Sequence, residues 1–183
     1  RNSALPLSSR FVLKFSVVAV VLAAATFFSA VFGLPGTVDR HTFFEFTMWG
    51  PGHALQVANV FALIAVWLWV ISRVTGKDPL APVAVLLLFS LLLLPHLILP
   101  ALSYKGTLNS LYHSGATQLM RWGIFPVMLL VLGICLKTWA GASRSKDPCK
   151  NAISTGFLFS AGLTIFGVIL GACIRSSTTL VPA

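Results

Sequence analysis

The chain has 183 residues, of which 57% are hydrophobic and 9% charged, against roughly a quarter charged in an ordinary soluble domain. That much apolar surface exceeds what a core of this size encloses in water, and disorder needs low hydrophobicity, so both classes are excluded. The net charge of +9 comes from 13 Lys and Arg against 4 acids. These cations fall between apolar runs, where they act as topology signals, and no nucleic-acid partner is expected.

Five apolar runs reach the roughly 17–25 residues needed to cross a bilayer: Phe11–Phe32, Phe43–Ile71, Leu80–Leu102, Leu119–Trp139 and Ile153–Ile174. Pro, Gly or charge bounds each of them, as in Leu34-Pro35-Gly36 and Gly76-Lys77-Asp78-Pro79. The runs do not alternate and are too long for barrel strands. The expectation is an all-α, polytopic membrane helix bundle forming one transmembrane domain over residues 1–183. The first run is too long for a signal peptide and lacks a clear cleavage site, so it is read as a span. Beginning with Arg1 rather than Met, the chain is read as processed, truncated or one piece of something longer.

Positive charge sets the orientation. Arg1, Arg10, Lys14, Arg73, Lys77, Lys137, Arg144, Lys146 and Lys150 fall on one side, and Arg40, Lys105, Arg121 and Arg175 on the other. This places the N-terminus in the cytoplasm and the C-terminus on the outer, periplasmic side. Cys135, Cys149 and Cys173 have no metal or disulfide spacing.

The four histidines cluster toward the outer face. His41 lies at the mouth of the second span, and His53 roughly 15 Å below it at 1.5 Å per residue. His96, on the returning span, lies roughly 10 Å from the same face. His113 belongs to the outer connection between the third and fourth spans. An ionisable side chain at membrane depth is a functional candidate, and neutral imidazole ligates copper, iron and zinc. His53 and His96 are therefore candidate ligands of one shared metal. The competing reading is that each bonds a neighbouring helix and only holds the bundle together.

Gly50-Pro51-Gly52 precedes His53, and Pro95 and Pro100 flank His96. Such residues kink helices or admit close approach. Glu45 is the sole acid within a span; it is a candidate for proton transfer, a charge partner for Arg40 or an interfacial residue. Arg121 opens the fourth span, placed either to hold an anionic group or to snorkel at the interface.

The segment Phe46-Thr-Met-Trp-Gly-Pro-Gly-His53-Ala-Leu-Gln-Val57 resembles the sixth helix of the catalytic subunit of haem–copper oxidases and nitric oxide reductases. It is closest to divergent members with a Trp-Gly-x-Gly-His-x-Leu-Gln pattern. On that alignment the five spans resemble helices five to nine of a larger bundle, and Arg175–Ala183 resembles the loop before the tenth helix. The resemblance implies that His53 and His96, with His113 as a possible third ligand, hold copper or non-haem iron. It also implies a haem bound mainly by residues outside this chain, with Arg121 near a propionate. Oxygen or nitric oxide would be reduced, with electrons from a cytochrome or quinol.

Three features depart from the family. Leu97 stands where a second adjacent histidine is usual, and Val57 where many oxidases carry a tyrosine. Tyr104 and Tyr112 are read as too near the outer surface to replace it. The haem-binding histidines are missing, so the chain is either a fragment or one half of a split subunit whose membrane partner supplies them. The alternatives are a non-catalytic membrane subunit or assembly partner of a respiratory complex, and a di-haem membrane cytochrome.

Overall fold

A computed structural model describes residues 5–106, 110–142 and 147–173. No strand occurs among them, and seven α-helices account for most of their length: α1 Leu7–Gly33, α2 Arg40–Thr75, α3 Pro82–Leu93, α4 Leu99–Gly106, α5 Ser110–Leu119, α6 Phe125–Ala140 and α7 Pro148–Cys173. A 3₁₀ turn, Leu94–Ile98, joins α3 to α4, and a π segment, Met120–Ile124, leads into α6. Among the described residues, five stretches are long and apolar enough to cross a membrane: Leu7–Gly33, Arg40–Thr75, Pro82–Tyr104, Arg121–Ala140 and Pro148–Leu170. The protein is an integral, multi-pass membrane helix protein, as the five apolar runs predict.

Local chemistry sets the helix ends. Asp39 caps α2 by accepting from the backbone N–H groups of His41 at 3.0 Å and Thr42 at 3.1 Å. The Thr42 side chain first, then these backbone bonds, hold the Asp39 carboxyl below its usual value. Gly76 closes the same helix at φ 72°, a left-handed conformation that only glycine adopts without steric cost. Proline then sits in the first turn of α3, where its missing N–H has no helical partner to lose. Pro51 leaves α2 unbroken, because its absent donor frees only the Thr47 carbonyl one turn earlier. At about 1.5 Å per residue, the 36 residues of α2 extend roughly 54 Å, well beyond a hydrocarbon core of about 30 Å.

The chain divides into two compact units, Arg1–Ser143 and Arg144–Ala183. In the first, α1 packs most extensively on α2 and also touches α3 and α4, while α6 packs on α2. Lipid gives apolar helices no hydrophobic reason to associate, so close backbone approach and polar bonds carry more of the pairing. Ala19, Ala23 and Ala30 of α1 are buried, as are Ala54, Ala58 and Ala65 of α2. Ser16 donates across to the Ala58 carbonyl at 2.8 Å. Phe15, Phe61 and Phe89 join α1, α2 and α3 through ring contacts at 5.2–6.2 Å. At the other end of α1, Gly33 lies directly against the α4 backbone: a Cβ there would stand 2.7 Å from the Tyr104 carbonyl oxygen.

The second unit contains α7, capped by Asp147, which accepts from the Cys149 N–H at 3.0 Å. Phe159, Phe166 and Ile169 stand exposed along it, the composition expected of a lipid-crossing helix.

The Gly33 contact is testable. Gly33→Ala forces a methyl group into backbone that has no rotamer to yield, and should cost about 1–3 kcal/mol in a denaturant or thermal unfolding measurement. Gly133→Ala, where a Cβ meets open space inside α6, should not lower the midpoint.

Candidate functional site

His53 is half-buried on α2, one turn after Trp49. Its Nδ1 lies 2.7 Å from the Trp49 carbonyl oxygen. A carbonyl only accepts, so Nδ1 carries the proton and, in the neutral ring, Nε2 carries the lone pair. The indole of Trp49 lies over the imidazole with centroids 4.0 Å apart and a 35° tilt. One residue therefore fixes both the tautomer and the plane of the ring.

His96 repeats the arrangement on the third span. Its Nδ1 lies 2.8 Å from the Leu92 carbonyl oxygen, and the residue is only 2% exposed. Its Nε2 is buried and has no hydrogen-bond partner. The 3₁₀ turn that carries it begins at Leu94, and Pro95 removes one ladder donor inside it. Gly123, in the π segment before α6, lies beside this ring: a Cβ there would stand 3.9 Å from His96 Cε1. The bond that His96 makes is thus within its own helix and does not tie it to a neighbouring one.

Other expected residues fall elsewhere. His41 and Glu45 are exposed and face each other at 3.9 Å, one turn apart. Arg40 lies over the Phe44 ring at 5.9 Å. Arg121 is exposed on the π segment beside exposed Trp122. His113 lies on α5, so the described part of the connection between the third and fourth spans is helical rather than a loop; its side chain is outside the described residues. The region Arg175–Ala183 also lies outside them. Among the described residues, no three His, Cys, Asp or Glu side chains gather as a metal shell.

Tyr112, not among the candidate site residues, is only 2% exposed. Its hydroxyl bonds Ser103 at 2.7 Å, and Ser103 lies 2.9 Å from the Leu99 carbonyl to which it donates. The same hydroxyl seats against Gly50, where any Cβ would collide with it. Its ring lies 5.2 Å from Trp49. Tyr112 of α5, Ser103 of α4 and the Trp49–His53 turn of α2 therefore form one contiguous cluster. The only sequence signal was the glycine at position 50, which implies close approach without naming what approaches.

No protein-family model, curated protein or solved structure matches this chain. His53 and His96 each have Nδ1 held by a backbone carbonyl of their own helix, an outer-layer arrangement that metal-binding histidines also use.

Burial pushes the Tyr112 phenol above its ordinary value of 10.0, with the Ser103 bond opposing in part. A raised folded-state value gives stability that is complete below the unfolded pKa and lost as pH rises toward the folded one. Tyr112→Phe should therefore cost about 1 kcal/mol at neutral pH from the lost hydrogen bond. It should also flatten the fall in stability above pH 10, as read by unfolding at a series of alkaline pH values.

Proposed function

We propose that the chain supplies the non-haem metal site of a membrane haem–copper-type oxidoreductase, with His53 and His96 as ligands of a copper or non-haem iron ion. The observation that carries this reading is the buried Nε2 of His96, which has no partner although Nδ1 is fixed on Leu92. His53 supports it through the same Nδ1-to-carbonyl geometry. Imidazole nitrogen suits both metals. A complete shell needs further donors, which this reading assigns to His113 or to a partner membrane chain.

When bound, such an ion would polarise oxygen or nitric oxide next to a haem held mainly by that partner. The chain's own residues would do the holding. Trp49 orients the His53 ring through its carbonyl and its indole, and Leu92 orients His96. The exposed Arg121 would meet a haem propionate of the partner, and Glu45 would serve proton entry. A cytochrome or quinol would donate the electrons. The excess of cations on one side supports a cytoplasmic N-terminus and an outer C-terminus.

A second reading, a non-catalytic membrane subunit whose histidines are purely structural, is favoured by the lack of a three-donor group among the described residues. The two readings separate in one experiment on the purified complex. His53→Ala and His96→Ala should each remove about one non-haem metal ion per chain while the helices remain inserted and haem is retained. Full metal content in both variants would refute the metal-site reading and leave the non-catalytic one.

A further inference from the structure

One end of the first unit carries a charge distribution that its own side chains do not neutralise. Ser8, in the first turn of α1, donates to Asp78 in the α2–α3 turn at 2.5 Å, which places those two segments together. Successive spans alternate in direction, and α6 packs on α2, so α6 ends there as well. Around this end stand Arg10 and Lys14 of α1, Arg73 of α2, Lys77 of the turn and Lys137 of α6. All five are exposed.

Asp78 is the acid of this end, and its hydrogen bond goes to Ser8. None of the five cations lies within ion-pair distance of a described carboxylate; the ion pair found joins His41 and Glu45 at the opposite end. Lys14 instead lies along Phe11, with Nζ 5.5 Å from the ring centroid. Arg10 and Lys14 are roughly 5 and 10 Å along α1 from its start at about 1.5 Å per residue. Arg73 and Lys137 lie in the last turns of their helices. In a bilayer these positions coincide with the headgroup layer, reached by long side chains that keep their stems in hydrocarbon.

The opposite end differs. Arg40, Lys105 and Arg121 are accompanied there by Asp39 and Glu45, so charge is closer to balance among those residues.

We propose that the end formed by the start of α1, the α2–α3 turn and the last turn of α6 is a binding surface for anionic phospholipid headgroups. The five cations repel one another, and a layer of phosphate-bearing, net-negative headgroups supplies the countercharge that Asp78 does not. Polybasic segments at a membrane surface are attracted to anionic lipid in this way, with a range set by salt screening. The inference is independent of any metal, and of which side of the membrane this end faces.

The test is lipid selectivity measured on the full chain in phosphatidylcholine bilayers containing spin-labelled phosphatidylglycerol or spin-labelled phosphatidylcholine. The phosphatidylglycerol label should be held at the protein surface several-fold more often. That preference should shrink at about 1 M salt, where the screening length falls to about 3 Å. Combined replacement of Arg10, Lys14, Arg73, Lys77 and Lys137 by Gln should abolish it, and R10Q/K14Q or R73Q/K77Q should each remove part. R40Q/R121Q should leave it intact. Equal retention of both labels by the native chain would overturn the proposal. So would an unchanged preference in the two double variants, which decide the matter if the fivefold variant fails to insert. Displacement of the label by free inorganic phosphate would overturn it as well, by showing an anion site rather than a lipid surface.

Discussion

A polar atom inside an apolar bundle must find a partner or carry an unmet cost of about 1–3 kcal/mol. In this protein the hydroxyls mostly comply by folding back onto their own helix. Thr26, Thr75, Ser103, Thr138 and Thr164 each donate to a carbonyl one turn earlier. Among the described residues, the buried atoms that do not comply are Ser9 Oγ, Thr47 Oγ1, Trp69 Nε1 and His96 Nε2. The indole N–H only donates, and a hydroxyl is a weak ligand. With Nδ1 held by the Leu92 carbonyl, the His96 nitrogen alone presents a strong lone pair to its surroundings. The functional account rests on that difference in chemistry.

The second histidine is shaped by a longer chain of dependence. His53 takes its orientation from Trp49, whose indole also meets Tyr112. Tyr112 fits because position 50 has no Cβ, and it is held by Ser103 at the far side. Four residues on three helices thus converge on one turn of α2. The small cluster of Ala23, Ala54 and Leu99, with Trp49 packed against it, ties the same turn to α1 and α4. Rigid support of this kind is what a ligand or catalytic ring needs if it is to hold its geometry.

Run length and polarity made the five spans legible, because a lipid-crossing helix has to be apolar over about 20 residues. The short helix Ser110–Leu119 was not legible: Ser110, His113, Ser114, Thr117 and Gln118 interrupt any apolar run, and tertiary context stabilises it. Pro95 marked a disturbance near His96, but its outcome as a 3₁₀ turn, with the π segment's Gly123 beside the His96 ring, was not legible. The packing of Tyr112 was not legible, because its partners lie far from it in the chain. The α5 helix folds its ring back onto Gly50, and that return is a tertiary fact. His53 and His96 were legible as imidazoles within two apolar spans, whereas the carbonyls that fix their tautomers become visible only in three dimensions.

The central claim is that both imidazoles ligate one ion through Nε2. X-ray absorption at the metal edge of the isolated complex tests it most directly. The account predicts at least two imidazole nitrogens at about 2 Å from the non-haem metal, falling by one when His96 is replaced. A non-haem metal with no imidazole scattering, or a spectrum identical in that variant, would contradict it.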